Sequence, residues 1–274
     1  MTADPRTSPL ASPDPWNLVS ASYTRELAPH CEMFAADALA SVPLAAGAAI
    51  VDVACGPGTL TLLAAQRGLR VSAIDFSPEM IALLRARAEA GGAAGLIEAG
   101  VGDGHELPFA SGQFRAGFSV FGLMFFADPA RGLVELHRVI APGGCAVIVS
   151  WAPLDRVPAI AALFAALRRA APELALPAPA APLGEVDEVR AALIAAGFAG
   201  VTVETVAHPL SFDSPAAFWS TFAASVAPVA LVRRRLGAAR WAAVSAAAVG
   251  DLSAALGPGA VLVPMPAHIG IGWR

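Results

Sequence analysis

The run Val51-Asp52-Val53-Ala54-Cys55-Gly56-Pro57-Gly58-Thr59-Leu60 constrains what this chain can fold into more than any other segment. Its apolar start reads as a short buried strand, which Gly56-Pro57-Gly58 breaks into a turn that opens a helix. Behind it, Val71-Ser72-Ala73-Ile74-Asp75-Phe76 reads as the next parallel strand of the same sheet, ending on a carboxylate. In a doubly wound fold that pairing places a nucleoside in the crevice at the carboxyl ends of the strands. Gly56 and Gly58 lack a Cβ, so the backbone can turn sharply and come close to a ligand. Asp75, about 20 residues on, stands where a carboxylate accepts hydrogen bonds from ribose hydroxyls.

The details of the turn select the nucleoside. A dinucleotide site lays a pyrophosphate on the helix N-terminus and uses a third glycine for tight helix packing. Here Thr61 stands at that third position, and Pro57 removes an amide that could have cradled phosphate. Asp52 adds a carboxylate near the turn, which repels an anion and suits a cation. S-adenosyl-L-methionine carries an ammonium and a sulfonium and no phosphate, so the turn suits it better than NAD.

These residues resemble motif I of the class I S-adenosylmethionine-dependent methyltransferases, in the branch that includes the ubiquinone and menaquinone biosynthesis enzymes. Three further segments agree in order and spacing: Ala73-Ile74-Asp75-Phe76-Ser77-Pro78-Glu79-Met80-Ile81, Gly102-Asp103-Gly104-His105-Glu106-Leu107-Pro108-Phe109, and Glu135-Leu136-His137-Arg138-Val139-Ile140-Ala141-Pro142-Gly143-Gly144. The likeness covers residues 45–151. It implies a Rossmann-like α/β fold, a seven-stranded doubly wound sheet that is mostly parallel with an antiparallel last strand, carrying helical lid additions.

The resemblance also implies roles. Gly56 and Gly58 would pass under the methionine moiety, Asp75 would bind the ribose diol, and Phe76, with Met80 on the following helix, would border the nucleoside. Asp103 would accept from the adenine amino group, with the Gly104 and His105 amides nearby. Ser119 and Val120, ahead of Phe121 at the end of the fourth strand, would border the sulfonium. No metal is implied. An acceptor of high pKa also needs a base, and the candidates are Tyr23, His30 and His208.

Composition bounds the partners. The net charge is −4 and all 18 basic residues are arginine, with no basic stripe beyond Arg233-Arg234-Arg235, so nucleic acid is not expected as substrate. Cys31, Cys55 and Cys145 lack the paired spacing of a zinc site or a disulfide framework. No run of 18 apolar residues free of proline and charge occurs, which predicts no membrane span, and the cytoplasm is the expected compartment. A homodimer is left open.

Along the chain, residues 1–14 are expected as a disordered leader and 15–274 as one domain. Residues 15–44 read as N-terminal lid helices, with Trp16, Val19, Tyr23, Leu27, His30 and Phe34 at helical steps and Pro29 breaking the run. Residues 45–151 form the cofactor-binding core, with strands at 49–54, 70–75, 95–101, 115–121 and 145–150. Later strands are expected at 201–206 and 268–273. Segments 152–183, with a Pro/Ala-rich linker at 176–182, and 213–257 read as helical insertions that build a substrate lid. The latter is expected to have helices near 215–226, 228–236 and 239–255. Phe212, Phe218, Trp219 and Phe222 suggest an apolar or aromatic pocket there. The function these features favour is methyl transfer to O, N or C of a small hydrophobic or aromatic metabolite. The alternatives are a cofactor-binding protein of the same fold that acts as a non-methylating catalyst or scaffold, and an NAD-dependent oxidoreductase.

Overall fold

Strands β1 (Ala49–Val53), β2 (Arg70–Asp75), β3 (Ile97–Val101), β4 (Phe114–Val120) and β5 (Ile140–Trp151) alternate with helices α3 (Thr59–Gln66), α4 (Pro78–Ala90) and α5 (Pro129–Val139) in the computed structural model, which describes residues 8–172 and 182–274. Preceding them are α1 (Asp14–Glu26) and α2 (Ala28–Ala40). After β5 come α6 (Pro158–Ala170), α7 (Val186–Ala195), β6 (Ala199–Phe212), α8 (Pro215–Ser225), α9 (Ala227–Leu256) and β7 (Val261–Trp273).

The sheet order is β3-β2-β1-β4-β5-β7-β6. Strands β1 to β5 are mutually parallel, and β7 runs antiparallel to both β5 and β6. The seven-stranded sheet expected from the sequence is therefore the one observed. Its strand order reverses beside β1, so the crevice of a doubly wound fold opens where β1 and β4 diverge.

Local chemistry explains the boundaries. Ser77, Asp128 and Ser214 cap α4, α5 and α8, each accepting from an amide three residues on, and each is followed by a proline that needs no donor. Two apolar layers sandwich the sheet. One packs α2, α3, α6, α8 and α9 residues against Ile50, Phe118 and Val147. The other packs Leu133, Leu136, Val189 and Leu193 against Val51, Ala146 and Ile148.

Several expectations need correction. Residues 8–14 are folded: Pro9–Ala11 form a 3-10 turn with Leu10 buried, and α1 already starts at Asp14. The rest of the expected leader lies outside the described residues, as does most of the 176–182 linker. The N-terminal helical run breaks at Leu27, and Pro29 sits in the first turn of α2, where its missing amide costs nothing. Strands β6 and β7 are roughly twice the expected length because each pairs along a shared ladder from Ala199↔Trp273 to Phe212↔Val261. The two helices expected at 228–236 and 239–255 form α9, which Gly237 interrupts with a left-handed φ of 72°.

Where α7 crosses β7, a Cβ on Gly270 would lie 2.6 Å from Val189 Cγ1 and 3.0 Å from Leu193 Cδ1. Gly270→Ala should therefore lower unfolding free energy by about 1–3 kcal/mol in a urea titration, as overpacking does. An unchanged midpoint would show that this crossing is loose.

Candidate functional site

The switch point holds a cavity of about 400 Å³, lined entirely by residues between Ala11 and Ala127. Its floor is the turn after β1, from Ala54 to Pro57. One wall is Ile74-Asp75-Phe76 with Met80, another is Gly102-Asp103-Gly104-His105, and a third runs from Val120 to Gly122 with Phe125 and Phe126. The roof is Ala11, Trp16 and Tyr23, with Cys31 behind them.

Asp75 ties the floor to the wall. Gly56 N–H donates to its Oδ2 at 2.8 Å and Ser77 N–H donates to its Oδ1 at 2.9 Å. The side chain is 6% exposed. Burial pushes its carboxyl up to about 6, against the two amide bonds that pull it down. Asp52, 1% exposed, also borders the cavity and accepts from Thr61 Oγ1 at 2.6 Å. Burial raises it to about 7, with the negative field of Asp75 adding to the rise. A cation in this pocket would favour the ionised form of both carboxyls, and an anion would oppose it.

Gly56 has a φ of +54°, and a Cβ there would meet nothing within 4 Å, so the residue leaves open space for a ligand. Gly58 is different. It caps α3 in a left-handed conformation, and its Cβ would lie 2.2 Å from Leu84 Cδ1, so its smallness serves packing against α4 and it does not line the cavity. Two positions that carry no glycine also adopt positive φ at the rim, Ala54 and Phe121, both at 58°. They end β1 and β4, and a Cβ on Gly122 would come within 2.4 Å of Ala54 Cβ. Strain of this kind concentrates at ligand sites, and no residue type in the sequence announced it.

Asp103 and His105 form one unit. The His105 amide and Nδ1 both bond Asp103 Oδ1, at 2.8 and 2.6 Å, while His105 Nε2 accepts from the Asp128 amide at 3.2 Å. An acceptor role at Nε2 fixes the ring as the Nδ1–H tautomer. Although partial burial opposes it, these bonds and Arg131 hold the Asp103 carboxyl below its ordinary value. Gly104 must be glycine because Phe126 Cζ would lie 2.4 Å from its Cβ. From beneath, Arg138 donates to the Leu107 and Phe109 carbonyls and Glu135 accepts the Leu107 amide, so α5 clamps the whole loop.

Of the residues expected at the site, Gly56, Asp75, Phe76, Met80, Asp103, Gly104, His105 and Val120 meet at the cavity, and Tyr23 joins them from the roof. Ser119 does not. Strand alternation turns it to the opposite face of β4 from Val120, where its hydroxyl is buried without a partner. His30 and His208 also lie outside the lining. His208 bonds Asp37 Oδ2 at 2.7 Å and packs edge-on against Phe34. The expected aromatic pocket in the second insertion is core instead: Phe212, Phe218 and Phe222 pack on one another, and Trp219 stacks on Trp241. No described residue of either insertion lines the cavity. Segment 213–257 acts from behind, with Ala227 and Ala230 packed under Val19 and Leu10.

A methyltransferase-domain family matches residues 51–148 of this chain, the floor and walls just described. A demethylmenaquinone methyltransferase of Thermus thermophilus is 42% identical over 107 residues, which are 38% of this chain and 47% of that protein. The chain thus spans under half the length of the curated relatives it matches first. Residues 51–148 thus resemble a methyltransferase domain. Two of the relatives it resembles are named as demethylmenaquinone methyltransferases. The methyltransferase fold recurs in a Bacillus halodurans structure described as a putative methyltransferase, at TM-score 0.59, 16% identity and 87% and 97% coverage of the two chains. It recurs also in the 4+2 cyclase SpnF, at TM-score 0.55, 18% identity and 89% and 81% coverage. At such identities the likeness concerns the fold.

The raised carboxyls give a pH signature. Asp52 holds its proton more tightly folded than unfolded, so its contribution to stability is full below about pH 4 and is lost as pH rises through about 7. The ligand-free protein should therefore lose stability across that window, by at most about 1.4 kcal/mol per pH unit from this group. Asp52→Asn should flatten the slope in denaturation measured between pH 4 and 8. An identical slope in the variant would remove Asp52 as its source.

Proposed function

We propose that this protein transfers the methyl group of S-adenosyl-L-methionine to a small, uncharged, apolar or aromatic metabolite, on O, N or C. One observation carries the reading. The cavity wall holds buried Asp52 and Asp75, and among the described residues no arginine lines it. A cationic cofactor finds counter-charge there, whereas a carboxylate or phosphate on the acceptor would find none.

The residues fit that cofactor. Asp75 keeps lone pairs for the ribose hydroxyls after accepting two amides. Phe76 and Met80 supply apolar surface beside it, and Asp103 Oδ2 stays open as an acceptor at the adenine end, because the His105 bonds both fall on Oδ1. Gly56 leaves room for the methionine moiety. When bound, the cofactor supplies an already activated methyl carbon, so the protein's task is alignment and exclusion of water.

Trp16, Phe121 and Phe125 are the aromatic groups that a flat acceptor would meet. They are held rigidly: Phe121 stacks on Trp151 at 3.7 Å, and Trp16 packs edge-on against Phe125 at 4.9 Å. The Thermus relative is named for demethylmenaquinone, and an aromatic acceptor of that general shape suits these walls. Tyr23 is suited to orient the acceptor and is a poor base, since burial drives its phenol well above the ordinary value. The acceptor must then bring its own acidity or carbon nucleophilicity.

The test is S-adenosylhomocysteine release over a panel of small aromatic acceptors, where turnover on uncharged members and none on their carboxylated analogues is expected. The reverse preference would overturn the reading. Asp75→Ala should weaken S-adenosyl-L-methionine binding by about 2 kcal/mol or more through loss of charge-assisted bonds. Calorimetry showing unchanged affinity in the folded variant would sink the ribose assignment. Tyr23→Phe should leave cofactor affinity intact and lower turnover by about fivefold to tenfold, as loss of one hydrogen bond to the acceptor does; full turnover would leave Tyr23 with packing alone.

A further inference from the structure

Asn17 is absent from the cavity lining, yet it makes the hydrogen bond that joins the roof to the ligand-binding wall. Ser77 Oγ donates to Asn17 Oδ1 at 2.6 Å, across 60 residues of sequence. The same hydroxyl oxygen accepts from Met80 N–H at 3.1 Å as the cap of α4, and the Ser77 amide donates to Asp75 Oδ1. Ser77 has no exposed surface. A continuous hydrogen-bonded path thus runs from α1 through Ser77 to both oxygens of the Asp75 carboxyl and on to the Gly56 amide.

We infer that Asn17 is a positioning residue that latches α1 over the cavity and couples closure of this roof to the Asp75 clamp. The inference rests on the cofactor reading given above. The residues one position before it and six beyond it show what the latch positions: Trp16 and Tyr23, the aromatic parts of the roof, stand on the same helix two turns apart. Trp16 is further fixed by its indole N–H, which donates to Leu10 O at 2.9 Å. The far end of α1 has its own tether, since Ser22 Oγ donates to Ala224 O at 2.6 Å and Ser225 Oγ donates back to Ser22 O. Asn17–Ser77 is the tether at the end that faces the nucleoside. With α1 lifted, Ser77 keeps its capping bond but its hydroxyl hydrogen loses its acceptor, and water reaches Asp75. With α1 down, Asp75 is dry and every bond it makes to a ligand is stronger.

Full-length protein with Asn17→Leu, which preserves bulk and removes the acceptor, should release S-adenosylhomocysteine about fivefold to tenfold faster in stopped-flow displacement, the factor expected for one neutral hydrogen bond. Asn17→Asp retains an acceptor oxygen at the same place and should restore most of the slow release. Ser77→Ala, which also removes the α4 cap, should speed release at least as much, and adding Asn17→Leu to it should change release little further, because the bond between them is already gone. A residue that merely stabilised the fold would give additive effects that track the thermal midpoint and no rescue by Asn17→Asp. Wild-type release in Asn17→Leu, alongside weakened binding in Asp75→Ala, overturns the latch while the cofactor reading stands. Unchanged affinity in Asp75→Ala overturns the ribose assignment and the latch with it, whereas absence of S-adenosyl-L-methionine binding to the unaltered protein overturns the cofactor reading.

Discussion

The Asp75 carboxyl is the contact on which the rest of the site depends. A carboxyl in an apolar wall is costly unless its oxygens are bonded, and two backbone amides meet that need from the β1 turn and the β2 turn. The same bonds set the spacing of the two turns, and thereby the width of the crevice. The desolvation that raises both Asp75 and Asp52 is the counterpart of an affinity for positive charge. The electrostatics of the cavity and its shape therefore have one origin.

Around that centre the protein is built in supporting ranks. Helix α5 clamps the Asp103 loop through Glu135 and Arg138, and its N-terminus holds His105 in a single tautomer. Helix α1 supplies the roof and is tied at one end to Ser77 and at the other to α8. The described residues of the two insertions touch none of the cavity. Segment 213–257 sets where α1 can lie, so variation there would reshape the roof without changing any residue that a ligand meets.

How much of this was legible in the sequence follows from the physics of each signal. Alternating strand and helix patterns, with a glycine turn and a carboxylate at a fixed remove, report backbone geometry directly, and the sheet and eight of the ten cofactor residues expected from them meet at one cavity. Gly58 was misread because a left-handed glycine looks the same whether a ligand or Leu84 lies beside it. Of Ser119 and Val120, both expected at the cavity, only Val120 lines it, since in a strand one residue changes the face. The insertion aromatics carried no directional information, since a Phe run at helical spacing serves a core as well as a pocket. The strained backbone of Ala54 and Phe121 was invisible because nothing in an alanine or phenylalanine marks a positive φ. Asn17 was invisible for another reason: its partner is 60 residues away.

A crystal structure of the full chain with S-adenosylhomocysteine tests the central claim most directly. The account predicts the ribose hydroxyls within hydrogen-bonding distance of Asp75, the adenine between Phe76 and the Asp103-Gly104-His105 loop, and the sulfur facing Val120 beneath a closed α1. A ligand seated elsewhere, or in this cavity with its ribose turned away from Asp75, would contradict it.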